Sequence, residues 1–316
     1  MEIKEIAKNV YACLQEDKGF GWNNSAFVTT GGGLVVDTLW DLPYTQRMID
    51  LYGEVGPQPP RYLVNTHHNA DHVWGNQLFA DSEIIAHRLC KEGMENGITP
   101  TEFQALFADP IPVERQWFAD DISVYDFSDI EITLPTRLIE DKLELQLDNT
   151  PCHIIYLGPA HTASDIIVHL PEESVVIAGD LIFNGCTPLG WEGTTEKWLE
   201  AIDFIISLKP KVIVPGHGPL CGIEVASNQR DYLEYVFEQT RPYFDQGIDP
   251  LEAAKKIDVS AYQNWTEPER LIWNVARAYR EFRGGSWDEP YGDRVQLIHQ
   301  GHQLRSYWNK AGMTSS

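Results

Sequence analysis

Asn65-Thr66-His67-His68-Asn69-Ala70-Asp71-His72 follows the apolar run Tyr62-Leu63-Val64 without a break. The run reads as a short buried strand, and the segment that leaves it carries four imidazole or carboxylate side chains within six residues. Side chains at a strand-to-loop junction are held rigidly by backbone while still pointing into a cleft, as a metal centre requires. Imidazoles and carboxylates together suit zinc, manganese or iron. The stretch predicts a metal site.

Three shorter polar signatures lie farther along the chain: Gly158-Pro159-Ala160-His161-Thr162, Ala178-Gly179-Asp180 and Pro215-Gly216-His217-Gly218. Each places one His or Asp where a strand gives way to a loop. In this order the motifs resemble those of the metallo-β-lactamase superfamily, whose His-x-His-x-Asp-His signature precedes single His, Asp and His ligands. The second His of that signature is Asn69 in this chain. The resemblance runs over roughly the first 225 residues. It includes Asn24-Ser25-Ala26-Phe27-Val28 and Leu34-Val35-Val36-Asp37-Thr38, which look like the family's opening hairpin and buried Asp.

The resemblance implies an α/β fold, the αβ/βα four-layer sandwich, in which two mixed sheets lie face to face with helices outside. It also implies a ligand set. His67, position 69 and His161 form a first metal pocket, Asp71, His72 and His217 a second, and Asp180 bridges them. In the family the Asp of the Asp-His pair, here Asp71, is both ligand and proton carrier. An amide oxygen is a weaker ligand than imidazole for a borderline-soft ion, so Asn69 predicts a first pocket that binds its ion less tightly or not at all. The implied cofactor is zinc, one or two ions, with iron or manganese as alternatives.

The 316 residues are enough for one large domain or two small ones, and 43% hydrophobic content supplies a packed core. With 47 Asp and Glu against 24 Lys and Arg the formal charge is −23, which opposes the phosphate neutralisation that nucleic-acid binding depends on. Cys13, Cys90, Cys152, Cys186 and Cys221 are scattered, odd in number and without CxxC spacing. Neither a disulfide framework nor a thiolate zinc knuckle is indicated, and a reducing compartment fits best. The opening Met-Glu-Ile-Lys-Glu has no secretory pattern and no window reaches the length of a membrane span, so the expected address is the cytoplasm.

Short strands are predicted around residues 10–14, 25–29, 33–37, 61–65 and 84–87, with Gly31-Gly32-Gly33 turning the second into the third and a helix over 45–52. Residues 100–124 lack strand alternation and carry Phe103, Leu106, Phe107, Trp117 and Phe118, which predicts a helical or looped insertion walling a pocket. Strands resume over 143–147, 152–157, 165–170, 175–178 and 211–214. The division expected is a catalytic domain over residues 1–225 and a helical C-terminal extension over 226–316. Helices are predicted over 231–239 and 268–282, the latter with Thr266 and Glu269 as a capping box and Gly284 as its stop. Leu271, Val275, Ala278 and Phe282 line one face, which buries against the core or against another subunit, homologous or not.

Strand alternation turns His68 away from His67 and Asn69, making it an outer partner or a packing residue. His87, His153, His169, His299 and His302 receive no role, and Cys221 reads as a structural thiol. Trp22, Trp40, Trp74, Phe183 and Trp191 fall near the motifs, and an aromatic-lined pocket favours a flat or apolar ligand. No cluster of Arg or Lys flanks the motifs, which weakens phosphodiester, sulfate and thioester readings. The function expected is a metal-dependent hydrolase of a small organic molecule, an ester, lactone or activated aryl ether, through metal-activated water. The alternative is a non-hydrolytic metalloenzyme, a decarboxylase, isomerase or iron-dependent oxygenase. A small-molecule substrate is the expected partner, without nucleic acid or membrane.

Overall fold

The computed structural model describes residues 1–16, 19–108, 110–289 and 293–311. The chain opens with β1 (Glu2–Ala7), β2 (Val10–Leu14), β3 (Ser25–Val28) and β4 (Leu34–Val36), then α1 (Leu42–Gly53), β5 (Tyr62–Val64), α2 (Ala70–Val73), β6 (Glu83–His87) and α3 (Arg88–Asn96). The insertion supplies α4 (Pro100–Ala105) and α5 (Val113–Ile122), after which β7 (Arg137–Ile139) completes the first sheet. The second sheet follows with β8 (Lys142–Leu147), β9 (Thr150–Tyr156), β10 (Ile166–Leu170) and β11 (Val175–Phe183), then α6 (Thr195–Ser207) and β12 (Val212–His217). The C-terminal part is helical: α7 (Ile223–Asp245), α8 (Pro250–Ala254), α9 (Leu271–Phe282) and α10 (Arg294–Ala311).

β1 to β7 form a seven-stranded sheet in chain order, antiparallel through β4 and parallel beyond it. The second sheet has five strands in the order β12-β11-β10-β9-β8, with only the β11–β12 pair parallel. The β3–β4 hairpin needs three successive residues at φ of 63°, 86° and 90°, which Gly31, Gly32 and Gly33 adopt without a Cβ penalty.

Between the sheets lies an apolar layer in which Val10, Ala26, Val36 and Val64 meet Ile154, Val168, Ile177 and Val214. On the outer face of the first sheet, Met48 and Tyr52 of α1 cover Phe27, Val35 and Leu63. The helix places them by burying Thr45, Met48 and Tyr52 in a single stripe, and Asp41 caps its start by accepting from the Tyr44 amide (2.8 Å). On the outer face of the second sheet, α6, α7 and α9 bury Trp198, Ile202, Leu233, Val236 and Trp273 against Ile167, Val176 and Ile213. Helix, sheet, sheet, helix is the four-layer sandwich. The composition change near residue 225 lies in the first turn of α7, which packs on both α6 and β11.

The expected capping box at Thr266 and Glu269 does not form. Glu267 takes a left-handed conformation (φ 51°) and pairs with Arg270 at 2.9 Å, so residues 268–270 make a 3-10 turn and the helix starts at Leu271. Glu269 turns inward and is 2% exposed. The stop is as expected, with Gly284 at φ 79° just beyond the last turn.

Candidate metal centre

The site sits at the ends of β5 and β12, in the second half of β11 and in the β9–β10 loop. His67 leaves β5, and α2 then turns Asp71 and His72 back toward it. The β9–β10 loop that presents His161 is tied by Asp165, whose carboxylate accepts from the Thr162 hydroxyl (2.7 Å), the Thr162 amide (2.9 Å) and the Ala160 amide (3.2 Å). Asn24 joins the two sheets beside the site by donating from Nδ2 to the carbonyls of Pro215 (3.0 Å) and Gly218 (2.7 Å). Gly216 lets β12 approach Asp180, since a Cβ there would stand 1.9 Å from Asp180 Oδ1.

Donor atoms of His67, His161 and Asp180 lie within 4.8 Å of one another, and so do those of Asp71, His72 and His217. Asp180 stands between the two groups. Its Oδ1 is 3.1 Å from His72 Nε2, and its Oδ2 is 3.4 Å from His217 Nε2, 3.5 Å from His161 Nε2 and 3.9 Å from His67 Nε2. Asp71 Oδ2 is 3.4 Å from His217 Nε2 and 3.7 Å from His72 Nε2.

The outward-facing ring nitrogens decide what the inward ones can do. His161 Nδ1 donates to the Leu189 carbonyl (2.7 Å), so its Nε2 carries a lone pair. Thr66 Oγ1 donates its one proton to Asp37 Oδ2 (2.7 Å) and therefore accepts from His67 Nδ1 (2.9 Å), leaving a lone pair on His67 Nε2. His72 Nδ1 is held by the same Asp37 oxygen (2.9 Å). Imidazoles anchored in this way by a carbonyl, a hydroxyl and a carboxylate are what metal ligation uses. The buried inner atoms fit a cation as well: His67 Nε2, His72 Nε2 and Asp180 Oδ1 are without a geometric hydrogen-bond partner among the described residues. No cysteine takes part, and all five are free.

Electrostatics separate the two halves. Burial holds His67 well below the usual imidazole range and His161 at about 4, so both are neutral. Burial also opposes charge on His72 and His217, but Asp180 and Asp71 outweigh it, raising His72 strongly and His217 to about 10. That half attracts positive charge, be it a proton or an ion.

Above the cluster opens a cavity of about 210 Å³. Asn69, Asp71, His161, Asp180 and His217 form its polar floor, and Phe20, Trp40, Trp74, Phe103, Phe118, Phe183, Trp191 and Trp273 wall it.

Residues 19–217 match the profile of the metallo-beta-lactamase superfamily. The chain belongs to the metallo-β-lactamase superfamily. It is 21% identical over 295 residues to the linear primary-alkylsulfatase of Pseudomonas sp., covering 84% of this chain and 56% of the relative. The 2,4-dinitroanisole O-demethylase subunit alpha of Nocardioides sp. is 22% identical over 269 residues, covering 84% and 66%. The chain thus spans little more than half the length of the alkylsulfatase it matches. The solved metallo-beta-lactamase family protein from Thermus thermophilus shares the fold at TM-score 0.65 and 15% identity, covering 89% of this chain and 95% of that one.

All seven residues named from the superfamily motif meet around this floor. His68 lines the same cavity but turns its ring nitrogens away from the cluster, with Nδ1 3.0 Å from Ser164 Oγ and Nε2 3.4 Å from Glu192 Oε1. Cys221 is half-buried, and burial pushes its thiol up to about 12. Trp22 packs on Tyr44 and Tyr125 outside the cavity lining, because the aromatic cluster around Tyr125 captures it first. No cluster of Arg or Lys flanks the motifs in sequence, but two arginines reach the site in space. Arg270 and Arg294, from the helical C-terminal part, line the cavity with Arg270 over Phe20 (4.6 Å) and Arg294 over Trp191 (4.5 Å). Neither carries a local signal, since both come from more than 50 residues beyond the last motif. Leu189 and Thr66, which set the His161 and His67 tautomers, were likewise missed: a backbone carbonyl and a single hydroxyl have no recognisable pattern.

Proposed function

We propose that this protein is a metal-dependent hydrolase of a small organic molecule with an aryl or alkyl body, an ester, lactone or activated aryl ether. The observation that carries the reading is the convergence of His67, His72 and His217 nitrogens with Asp71 and Asp180 oxygens, of which Asp71, Asp180 and His217 reach the floor of an aromatic cavity. Histidine and carboxylate donors without cysteine fit a catalytic zinc, with iron or manganese as other occupants of the same donor type. Once bound, such an ion supplies Lewis-acid polarisation and acidifies water toward neutrality.

The chain's own residues provide the rest. Asp71 lines the cavity beside His72 and His217 and accepts the proton of the attacking water. Asp37 holds His72 in place through Nδ1. The aromatic walls bind the apolar body and exclude bulk water. Two relatives support this substrate range: an alkylsulfatase acts on a sulfate ester of an alkyl chain, and a dinitroanisole O-demethylase on an activated aryl ether. The cavity argues for a small molecule over nucleic acid, as does the charge of −23. No helix of the described residues is long and apolar enough to cross a membrane, and five free cysteines support a reducing compartment.

The test is hydrolysis of a panel comprising 4-nitrophenyl acetate, an aryl lactone, an alkyl sulfate and 2,4-dinitroanisole by zinc-loaded and chelator-treated protein. Turnover of at least one that is lost with the metal and restored by adding it is expected. No metal-dependent turnover across the panel would refute the reading.

A further inference from the structure

Asn69 does more than replace a ligand. Its amide nitrogen lies 3.1 Å from His161 Nε2. Which amide atom faces the ring is settled by the far side of the imidazole: the Leu189 carbonyl only accepts, so His161 Nδ1 carries the proton and Nε2 must accept. Asn69 therefore donates into the lone pair that a superfamily ligand at this position would offer to a metal. The ring is fixed from both sides, at 2.7 Å and 3.1 Å, in a residue only 1% exposed.

The remaining donors are divided unequally. With Nε2 of His161 occupied and an amide at position 69, the first pocket keeps His67 and one oxygen of Asp180. The second keeps Asp71, His72, His217 and the other Asp180 oxygen, with His72 Nε2 and Asp180 Oδ1 both unpartnered. Two donors do not hold a divalent ion that takes four, whereas four do. Rotating the amide to present its oxygen to an ion would break the bond to His161 and gain only a weak neutral ligand.

We infer that Asn69 closes the first pocket by donating to His161, and that the protein is a one-ion member of its superfamily whose ion rests on Asp71, His72, His217 and Asp180. The inference rests on the metallohydrolase reading above and deepens it, converting His161 from a ligand into part of a hydrogen-bonded wall.

The experiment is metal content by mass spectrometry after loading with excess zinc and desalting, together with X-ray absorption to count imidazole ligands. The unaltered protein is expected to keep one zinc per chain with two imidazoles. Asn69→His and Asn69→Asp, which offer a ligand in place of the donor and free His161, should each keep two zinc ions. His161→Ala should still keep one, with circular dichroism confirming that it is folded; the Asn69 variants leave His161 untouched and decide the matter if it is not. Two tightly held ions on the unaltered protein, or a folded His161→Ala that loses its ion, would overturn the role given to Asn69 and leave the metallohydrolase reading standing. A protein that retains no ion at all would sink that reading instead, and this inference with it.

Discussion

His72 Nε2 and Asp180 Oδ1 face each other 3.1 Å apart, both buried. On the far side of the ring, Asp37 holds Nδ1 at 2.9 Å. Held between Asp37 and Asp180, the ring favours a positive charge at Nε2, a proton or an ion.

His217 closes the same half of the centre from β12, with Asp71 and Asp180 each 3.4 Å from its Nε2. His217→Ala is expected to lose the ion and turnover together, with activity falling on the order of a thousandfold or more because metal-assisted activation of water goes with it. Metal analysis beside kinetics checks this. Full metal content with unchanged turnover would remove His217 from the site.

Asp37 touches no substrate, yet it receives the Thr66 amide (2.7 Å), the Thr66 hydroxyl (2.7 Å) and His72 Nδ1 (2.9 Å). Asp37→Asn keeps the shape but places a donor where three donors converge. Affinity for zinc should drop by roughly 10- to 100-fold, measured by competition with a chromophoric chelator. An unchanged affinity would show that the His72 ring is positioned by packing alone.

Gly216 borders Asp180 so closely that a Cβ would stand 1.9 Å from Oδ1 and 2.8 Å from the Gly179 carbonyl carbon. Gly216→Ala should cost about 1 to 3 kcal/mol of stability as overpacking and weaken metal retention by moving the carboxylate. Thermal unfolding with and without zinc separates the two effects.

A pH effect is expected from Glu192. Burial opposes its charge, but His68, the Ala163 amide and Arg294 outweigh burial and hold its carboxyl at about 2. The folded value lies below the usual 4.5, so this group stabilises the fold above that pH, and the contribution is lost as pH falls from about 4.5 to about 2. The full effect is at most about 3 kcal/mol. Denaturant titrations at pH 6 and pH 3 should show a smaller loss for Glu192→Gln than for the unaltered chain. Equal losses would mean that Glu192 is not tied to His68.

Ending the chain at Val225 would strip α7, α8, α9 and α10 from the second sheet. Trp273, 2% exposed, belongs both to that core and to the cavity wall. The truncated protein is expected to aggregate, and Trp273→Ala in the full chain to lose about 3 to 5 kcal/mol. A soluble, fully active truncation would show the helices to be dispensable.

The strands and the metal motifs were legible in the chain itself because their information is local. Apolar runs of three to five residues define β2 to β6, and each motif stands at the end of such a run, so backbone direction alone carries its side chains to one edge. Weakly patterned elements were not legible. β1 and β7 are edge strands with little burial, and α10 has no clear apolar stripe. The Thr266 cap failed because a buried ion pair between Glu267 and Arg270 outweighs a local propensity. The sequence by itself determined the superfamily, the order of the donors and the oddity at position 69. Only the tertiary structure decided that Asn69 donates to His161, that Leu189 sets the tautomer making it do so, and that Arg270 and Arg294 reach the cavity. Hydrogen-bond direction and cavity lining depend on partners far apart in the chain, from Phe20 to Ile298 in the cavity wall, and no periodicity along the chain records which of them will meet.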